Sequence, residues 1–441
     1  SLFNMRFLLF ILALTFTLTS AAQQIDSLDK ETRTSLYGVK MNRTPLQAEE
    51  RNGVLYFESA DRNYTFWIDS RIQLDGAVFF GESDGAEPIG NGVAIRRARF
   101  AVNAQVTKNW FGQLDLDFSK GIPEIKDAYM RYCGFGFIEI QAGNFKEMFS
   151  MEENNTSRYL AFMERPMAVS ALVPSRHLGL QIQANHKWLL ASAGLFFQPI
   201  EDADMYEDVQ DNNKDYGRGP GYSVTAKVIA MPFFGFEDKG LHLALAGSYR
   251  TPSSAVSPKK YGGLELNTRN ATFINRKKYL DTDMIPDVHH NMLLNTEFAA
   301  HYKGFRFQGE YIHSFIQLND PVSSDTGDIS QLHFSGWYLH AGILLFGGSQ
   351  RYDTHCGEFT QPVRGRKWGD LELLLRYDYL NLNSHHILGG EGQNFTAGLN
   401  YYVNNNVKIV LNYTYSDNKT IEDGEPGLHY HGLSLRTEID F

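Results

Sequence analysis

The residues best suited to chemistry in this chain are arginines that alternate along one short segment. Arg97 and Arg99 are separated by a single residue within Arg96-Arg97-Ala98-Arg99-Phe100. Successive side chains of a β-strand point to opposite faces, so both guanidinium groups would lie on one face of a strand. A guanidinium presents paired N–H donors that suit phosphate and carboxylate oxygens. The pattern predicts either an anion-binding pair or a pair that neutralises Asp115 and Asp117 across a sheet.

A second group of charges lies in the long segment 146–177. Its cations are Lys146, Arg158, Arg165 and Arg176, and its carboxylates are Glu147, Glu152, Glu153 and Glu164. If this segment folds into a pore, its charges set the selectivity of the narrowest point. If it stays outside, it is a solvated surface loop.

The sequence offers little that would support catalysis, a cofactor or a metal. It has no Gly-x-Ser-x-Gly segment, and 217–221 lacks the Lys-Ser/Thr of a phosphate-binding P-loop. Cys133 and Cys356 are the only cysteines, which gives no metal-binding spacing and leaves one disulfide open. We therefore expect no enzyme activity, no cofactor and no metal site. The net charge of −10 argues against a nucleic-acid partner.

The elements that must position these charges are long alternating segments. Within 64–80, Ile72 and Leu74 fall on one face, and Arg71 and Gln73 fall on the other. Such segments are roughly 10–15 residues long, whereas strands of soluble proteins average about five or six. Aromatic residues collect near their ends, as they do at the two membrane interfaces of a transmembrane barrel.

About sixteen segments show this pattern. They are 64–80, 93–107, 110–119, 124–133, 136–145, 178–187, 188–198, 221–231, 241–250, 292–303, 304–317, 333–346, 370–380, 393–403, 406–416 and 430–441. Short and long connections alternate between them, except that 120–123 is short and 347–369 is long. The pattern predicts an all-β fold, a transmembrane antiparallel β-barrel wide enough for an aqueous channel.

The first residues are typical of a secretory signal peptide. Met5-Arg6 precedes an apolar run, 7–18, and the small residues 20–22. We assign 1–22 to this signal peptide, 23–62 to a periplasmic lead-in with a short strand near Val54 to Phe57, and 63–441 to the barrel. This organisation predicts the outer membrane of a Gram-negative-type bacterium, in contact with lipid and lipopolysaccharide.

Two outer loops carry opposite charge. Residues 199–216 have a net charge of −6 and residues 251–280 a net charge of +5. A basic mouth would raise the local concentration of anions. Polar loops without any such role are an equally good interpretation.

Several segments together resemble the phosphate-selective porin O and P family. They are RRARF (96–100), DAYMRY (127–132), GNFKEMFSMEENNTSRYLAFMER (143–165), PSRHLGLQ (174–181), LLRYDYLNLN (374–383) and GGEGQNFTAGLNYYVNNNVKIVLNY (389–413). The resemblance covers about 64–441, and the terminal Phe441 is similar to the aromatic ending of outer-membrane barrels. It implies a sixteen-stranded barrel, a homotrimer, and an arginine- and lysine-lined pore that passes anions, with the third outer loop folded into the lumen.

The resemblance also assigns residues to the pore. Arg97, Arg99, Lys146, Arg158 and Arg165 fall inside matching motifs. The chain departs from a lysine-rich phosphate site at many inward positions that are acidic, which are Asp69, Asp75, Glu139, Glu297, Glu310 and Glu372.

We therefore predict an outer-membrane porin for passive diffusion of small anions, with phosphate as the leading candidate. The alternatives are a general or sugar-selective porin and, from another class, a barrel-anchored surface adhesin or scaffold. The predicted pore residues are Arg97, Arg99, Lys146, Arg158, Arg165 and Arg176.

Overall fold

Long antiparallel strands account for most of the chain in the computed structural model, which describes residues 32–84, 86–200, 219–253, 263–269, 271–324, 327–419 and 427–441. The strands are β1 (Thr32–Thr34), β2 (Lys40–Asn42), β3 (Leu46–Arg51), β4 (Val54–Ser59), β5 (Tyr64–Phe80), β6 (Gly92–Val106), β7 (Trp110–Asp117), β8 (Glu124–Tyr132), β9 (Ile138–Lys146), β10 (Arg176–His186), β11 (Leu189–Phe196), β12 (Ser223–Ala230), β13 (Lys239–Arg250), β14 (Leu264–Arg269), β15 (Lys278–Ile285), β16 (Val288–Tyr302), β17 (Phe305–Ser324), β18 (Gly327–Leu344), β19 (Tyr352–Asp353), β20 (Glu358–Phe359), β21 (Asp370–Ser384), β22 (Ile387–Tyr402), β23 (Val407–Lys419) and β24 (Leu428–Asp440). The helices are α1 (Met151–Asn154) and α2 (Met167–Leu172). The predicted signal peptide lies outside the described residues. In the described part of the chain, no helix has the length and apolar character needed to cross a membrane.

Sixteen of these strands form one closed antiparallel barrel, so the predicted fold class is confirmed. The wall consists of β5 to β13, β16 to β18 and β21 to β24, each hydrogen-bonded to the next along the chain. The last strand closes the wall by pairing with the first, with Leu435 opposite Gly76. Every strand predicted from alternation overlaps one wall strand.

A hairpin ahead of the wall protects its seam. β24 ends at Asp440, which lies opposite Arg71, so the first residues of β5 would form an open edge there. β4 pairs with that stretch, with Leu55 opposite Ile68, and β3 pairs with β4. An unpaired strand edge invites association with other chains, and the hairpin removes most of this edge. The short strand predicted near Val54 to Phe57 is β4.

The wall reverses the usual distribution of polar and apolar residues. On β5, Gln73 and Asp75 are fully buried, whereas Ile72 and Leu74 are 44% and 49% exposed. The exposed apolar side chains face outward, where lipid hydrocarbon would cover them, and the polar side chains face the lumen. Both termini of the wall lie at the end with short connections, which bacterial barrels direct to the periplasm.

Loop 3, which we define as residues 147–175 between β9 and β10, folds into the lumen as predicted. Its two helices are attached to wall carboxylates by their first backbone N–H groups. Met151 N donates to Glu297 Oε1 (3.0 Å), and Met167 N donates to Asp378 Oδ1 (3.1 Å). Carboxylates at these positions satisfy N–H groups that have no partner inside a helix.

Apolar packing fixes loop 3 against the same side of the wall. Met167, Ala168, Val169 and Leu172 of α2 belong to one buried cluster with Ile312, Ile316, Phe334 and Leu380 of the wall and Leu266 and Leu280 of the β14–β15 hairpin. Gly336 on β18 permits this close approach, because a Cβ there would lie 2.6 Å from the Cβ of Ala168. Loop 3 therefore packs its apolar face on β16 to β22, and a polar cavity lies between loop 3 and β5 to β10.

A second segment enters the lumen from the periplasmic end. We call residues 347–369, the long connection between β18 and β21, the returning segment. Asn185 Nδ2 donates to the carbonyl of Thr354 (2.8 Å), and the hydroxyl of Tyr352 lies 2.6 Å from His242 Nδ1. The segment also reaches loop 3, since Asn155 Nδ2 donates to the carbonyl of Phe359 (3.2 Å). This explains why the connection is long where alternation predicts a short turn.

We predict that Gly336→Ala loosens loop 3 from the wall. The added Cβ would meet Ala168 Cβ at 2.6 Å and the carbonyl oxygen of Tyr379 at 2.8 Å. Overpacking of this kind costs about 2 kcal/mol. Trypsin should then cleave the folded barrel faster within loop 3, after Arg158, as followed by gel electrophoresis.

Gly247→Ala is the matched control for this prediction. A Cβ at Gly247 would have its nearest neighbour 3.9 Å away, so the barrel should accommodate it. Equal cleavage rates in the two variants would contradict the role given to Gly336.

Candidate functional site

The open half of the lumen contains a polar cavity of about 350 Å³ between loop 3 and the wall strands β5 to β10. We call it the constriction cavity. All six predicted pore residues line it, so the structure brings together every residue that the sequence selected: Arg97, Arg99, Lys146, Arg158, Arg165 and Arg176. Their role as anion ligands remains a prediction.

The two arginines of β6 face the lumen and differ in their partners. Arg99 bonds to Asp115 (2.9 Å) and Asp117 (3.4 Å), which is the cross-strand neutralisation considered above. Arg97 does not take part in it. Its Nη1 donates to Gln73 Oε1 (2.8 Å), and no carboxylate lies within ion-pair distance of it in the described part of the chain. Arg97 is therefore the predicted pore residue whose charge is least compensated.

Two of the predicted cations also hold loop 3 in shape. Lys146 Nζ donates to the carbonyls of Glu153 (2.6 Å) and Asn155 (2.9 Å). Arg165 donates to the carbonyls of Glu152 and Asn155 and pairs with the Glu153 carboxylate at 2.8 Å. These carbonyls follow or end α1 and would otherwise lack partners. Both side chains thus combine a structural task with a position on the cavity wall.

The remaining two predicted residues form ion pairs across the cavity. Arg176, at the start of β10, makes a two-bond contact with Asp127 at 2.8 and 2.9 Å. Arg158, at the tip of loop 3, pairs with Asp69 of β5 at 3.0 Å and with Asp440 of β24 at 3.5 Å. Loop 3 therefore reaches the seam of the barrel.

Positive charge predominates in the constriction cavity. Its lining has eight cations, which are Arg71, Arg97, Arg99, Arg131, Lys146, Arg158, Arg165 and Arg176, and four carboxylates, which are Asp69, Asp115, Asp127 and Glu358, a formal excess of four. Burial raises the pKa of the Glu358 carboxyl on the returning segment. Such a lining attracts anions even though the whole chain is acidic.

A bulge in β6 adds an arginine that alternation cannot predict. The register between β5 and β6 shifts between Gln73 and Leu74, so Arg96 is an extra residue and turns inward together with Arg97. The Arg96 guanidinium donates two hydrogen bonds, of 2.6 and 2.9 Å, to the Glu164 carboxylate of loop 3. Burial raises the pKa of Glu164, but the guanidinium groups of Arg96, Arg97 and Arg436 outweigh burial and hold it well below its usual range.

Arg71 and Arg436 are two further inward cations absent from the predicted site. Arg436 on β24 bonds to Asp75 through two nitrogens at 2.7 Å each and to Glu164 at 3.0 Å. Arg71 contacts Ser157 of loop 3 and pairs with Asp440 at 3.2 Å. The two-residue alternation predicts both side chains on the polar faces of their strands, but only the structure shows that both contact loop 3.

Several acidic positions that depart from a basic pore serve to anchor the inserted segments. Glu297 and Glu310 accept backbone N–H groups of α1, at 3.0 and 2.8 Å. Glu372 pairs with Arg306 at 2.8 Å and accepts from Gln350 of the returning segment at 2.8 Å. Asp75 forms an ion pair with Arg436 at 2.7 Å. These four carboxylates lie behind the inserted segments and not in the constriction cavity, whereas Asp69 remains in it.

The structure describes the two charged outer loops only in part. The acidic loop 199–216 lies almost wholly outside the described residues. In the basic loop, Arg269 and Arg276 lie over the ring of Phe273 at 5.2 and 5.1 Å, where Arg96 also approaches at 4.6 Å.

Cys133 and Cys356 are both free thiols here, so the disulfide left open by the sequence is not formed. Within the described ranges, no three His, Cys, Asp or Glu side chains are grouped as for a metal ion.

Comparisons with known proteins agree with this architecture. An uncharacterized protein of Caulobacter vibrioides is 23% identical over 397 residues, covering 87% of this chain and 75% of its own length. Porin O of Pseudomonas aeruginosa is 21% identical over 425 residues, covering 88% of this chain and 91% of that protein.

Solved structures share the fold at low sequence identity. The anion-selective porin from Comamonas acidovorans superposes with a TM-score of 0.50 and 10% identity, over 86% of this chain and all of that one. The trimer form of the outer-membrane protein OmpT of Vibrio cholerae gives a TM-score of 0.50 and 10% identity, over 85% and 99%. The model of the family phosphate-selective porin O and P matches residues 66–441. With the closed barrel and its inserted loop, this match shows that the chain is an outer-membrane porin of the phosphate-selective porin O and P family.

Proposed function

We propose that this porin conducts small anions by passive diffusion, with phosphate as the leading solute. One observation carries the proposal: the cavity beside loop 3 is lined by eight cations and four carboxylates. A charged lining at the narrowest part of a water-filled barrel selects ions by sign. The name of the matched family and the anion-selective porin among the solved relatives support the same sign.

The pairing of the cations suggests how an anion would bind and leave. An incoming oxyanion would compete with Asp115, Asp117 or Asp127 for guanidinium donors that are already oriented toward the cavity. Because each carboxylate remains beside its arginine, it can reclaim the donors, which keeps the binding weak enough for release. Arg97, which bonds only to the neutral amide of Gln73, would supply donors with the least competition.

The remaining elements of the proposal concern processing and assembly. We propose that residues 1–22 are a signal peptide removed on export, that 23–62 is a periplasmic lead-in and that 63–441 forms the barrel. We also propose a homotrimer in contact with lipid and lipopolysaccharide, supported by the trimer form of a structural relative. The exposed apolar band on the outer wall is consistent with both contacts.

We predict that the purified porin is anion-selective in a planar lipid bilayer. In a potassium chloride gradient, the reversal potential should lie toward the chloride equilibrium potential, because the excess of lumen cations repels potassium. Phosphate added to the bath should reduce the chloride current by occupying the same donors. A reversal potential toward the potassium side would contradict the proposed function.

We further predict that Arg97→Glu weakens anion preference. The substitution changes the local charge by two units without leaving a buried carboxylate unpaired, because Arg97 bonds to Gln73. Two charge units at roughly 8 Å in water raise the energy of a monovalent anion by about 1 kcal/mol and lower that of a cation by about as much, so the anion-to-cation permeability ratio should fall roughly 25-fold. The reversal potential measures this ratio.

Lys277→Glu on the outer hairpin is the matched control for Arg97→Glu. Its side chain is 56% exposed and lies 3.6 Å from Glu87, away from the constriction cavity. The same change of two charge units should therefore shift the reversal potential much less. If Arg97→Glu left the potential unchanged, Arg97 would have no part in selection.

A further inference from the structure

Two histidines lie on the lipid-facing surface of the barrel, towards the outer ends of neighbouring strands. His313 on β17 and His333 on β18 point outward, and their ring centroids are 5.7 Å apart. Outward positions near the outer ends of β6, β10 and β12 are instead apolar, as at Ile95, Leu180 and Val224. We call His313 and His333 the imidazole pair. A polar side chain that faces hydrocarbon is costly unless it has a hydrogen-bond partner.

The surrounding rings hold the imidazole pair in place. The ring of Phe315 stacks on His313 with centroids 4.1 Å apart and meets His333 edge-on at 5.4 Å. The hydroxyl of Tyr311 lies 3.0 Å from His313 Nδ1. Within the described residues, His313 Nε2 has no hydrogen-bond partner. A ligand oxygen that reached this nitrogen would satisfy it.

The neighbourhood of the imidazole pair contains hydrogen-bond donors and no negative charge. On the same stretch of β16 to β18, all of which the structure describes, the other outward residues are Met292, Leu294, Thr296, Tyr311, Phe315, Gln317, Gln331, Ser335, Trp337 and Leu339. The outward carboxylates of Glu391 and Asp417 lie two and three strands away from β18, where they accept hydrogen bonds from Tyr379 and Gln393. An anionic group beside the imidazole pair would therefore meet no like charge on these strands.

A groove of about 610 Å³ lies on the same outward face, on the periplasmic side of the imidazole pair. Gly309 of β17 is part of its lining and is in register with Phe298 and Leu339. Glycine is needed at this position, because a Cβ would overlap the Leu339 side chain. The outward side chains that line the groove are Thr296, Phe298, Phe307, Tyr311, Trp337 and Leu339. Such an apolar and aromatic lining suits a hydrocarbon chain.

Tyr311 joins the groove to the imidazole pair. Its ring lines the groove, and its hydroxyl contacts His313. Tyr311 stands two residues from Gly309 and two from His313 on the same face of β17, so the donors follow the groove towards the outer end of the strand. A molecule with an anionic head and a hydrocarbon tail would meet donors and apolar rings in that same order.

We propose that the imidazole pair and the groove form one binding site for lipopolysaccharide on the outer wall. A phosphate of its acylated sugar headgroup is held by the ring nitrogens of His313 and His333, and one acyl chain lies in the groove. Phosphate oxygens are strong acceptors for these donors. The inference rests on the proposed contact with lipopolysaccharide and assigns that contact to β16, β17 and β18.

The test measures binding of diphosphoryl lipid A to the detergent-purified full-length barrel by native mass spectrometry. The test variant is His313→Phe/His333→Phe, which keeps the aromatic stacking on Phe315 and removes the ring nitrogens. We expect one tightly bound lipid A per wild-type chain and a dissociation constant about tenfold higher in the variant, because the bonds to phosphate are lost. Lipid A stripped of its phosphates should bind the wild-type barrel as weakly as intact lipid A binds the variant.

The matched control is His429→Phe/His431→Phe, which removes two outward imidazoles near the outer end of β24. It should change the dissociation constant of lipid A by less than about twofold. An equal loss in both variants would replace the single site by a general belt, and unaltered binding in the test variant would overturn the site. Phosphatidylglycerol that bound as tightly, with the same sensitivity to the test variant, would contradict the assignment to lipopolysaccharide.

Leu339→Trp tests the groove separately. The larger side chain would occupy the place of the acyl chain, so the dissociation constant of lipid A should again rise about tenfold. Unchanged binding in this variant would exclude the groove from the site. Heat-modifiable migration on gels confirms that each variant retains the barrel.

Conductance separates this site from the proposed transport function. The imidazole pair lies outside the lumen, so the reversal potential of His313→Phe/His333→Phe in a planar bilayer should equal that of the wild-type barrel. A wild-type barrel that binds lipid A at this site but shows no anion preference would refute the transport function and leave the lipid site standing. A wild-type barrel that is anion-selective but binds no lipid A would do the reverse.

Discussion

The attachment of loop 3 to one side of the barrel determines most of what the lumen can do. Backbone N–H groups of both loop helices are satisfied by wall carboxylates, Glu297, Glu310 and Asp378, and the apolar face of α2 packs on the same strands. A buried carboxylate without such partners would cost several kcal/mol, so loop and wall stabilise each other. The polar cavity therefore lies on the other side of loop 3, along β5 to β10.

This division separates the charges of the wall by their use. Carboxylates on β16 to β21 hold loop 3 and the returning segment in place. The arginines of β5 and β6 line the constriction cavity together with Lys146 and Arg165. A chain with a net charge of −10 thus has a cationic cavity between loop 3 and the wall. Local arrangement, and not overall charge, sets the field that an ion meets in the pore.

The number of cations that have a carboxylate or carbonyl partner differs along the lumen. In the constriction cavity most guanidinium groups keep a carboxylate or carbonyl partner, so each anion must compete for its donors. Around the cavity of about 680 Å³ at the periplasmic end of the barrel, Arg351, Arg366 and Lys367 have no ion pair among the described residues.

The amino-acid sequence by itself determined the barrel, its sixteen strands and the inward arginines, because a strand alternates with a period of two and each strand carries that pattern locally. Length and position alone left two places for the third loop, in the lumen or at the surface, and the family resemblance favoured the lumen. Arg97 and Arg99 could be assigned to the polar face of one strand because a single residue separates them.

Only the tertiary structure decided the rest, because those features depend on contacts between distant segments. The bulge that turns Arg96 inward arises from register between two strands, and no local period records it. The inward acids could not be sorted into anchors and pore residues until loop 3 was placed. The cavity of about 680 Å³ at the periplasmic end joins residues near 51, 364 and 405, which only closure of the barrel brings together. The sequence therefore showed 347–369 as an exception to the alternation of short and long connections but gave no reason for its length.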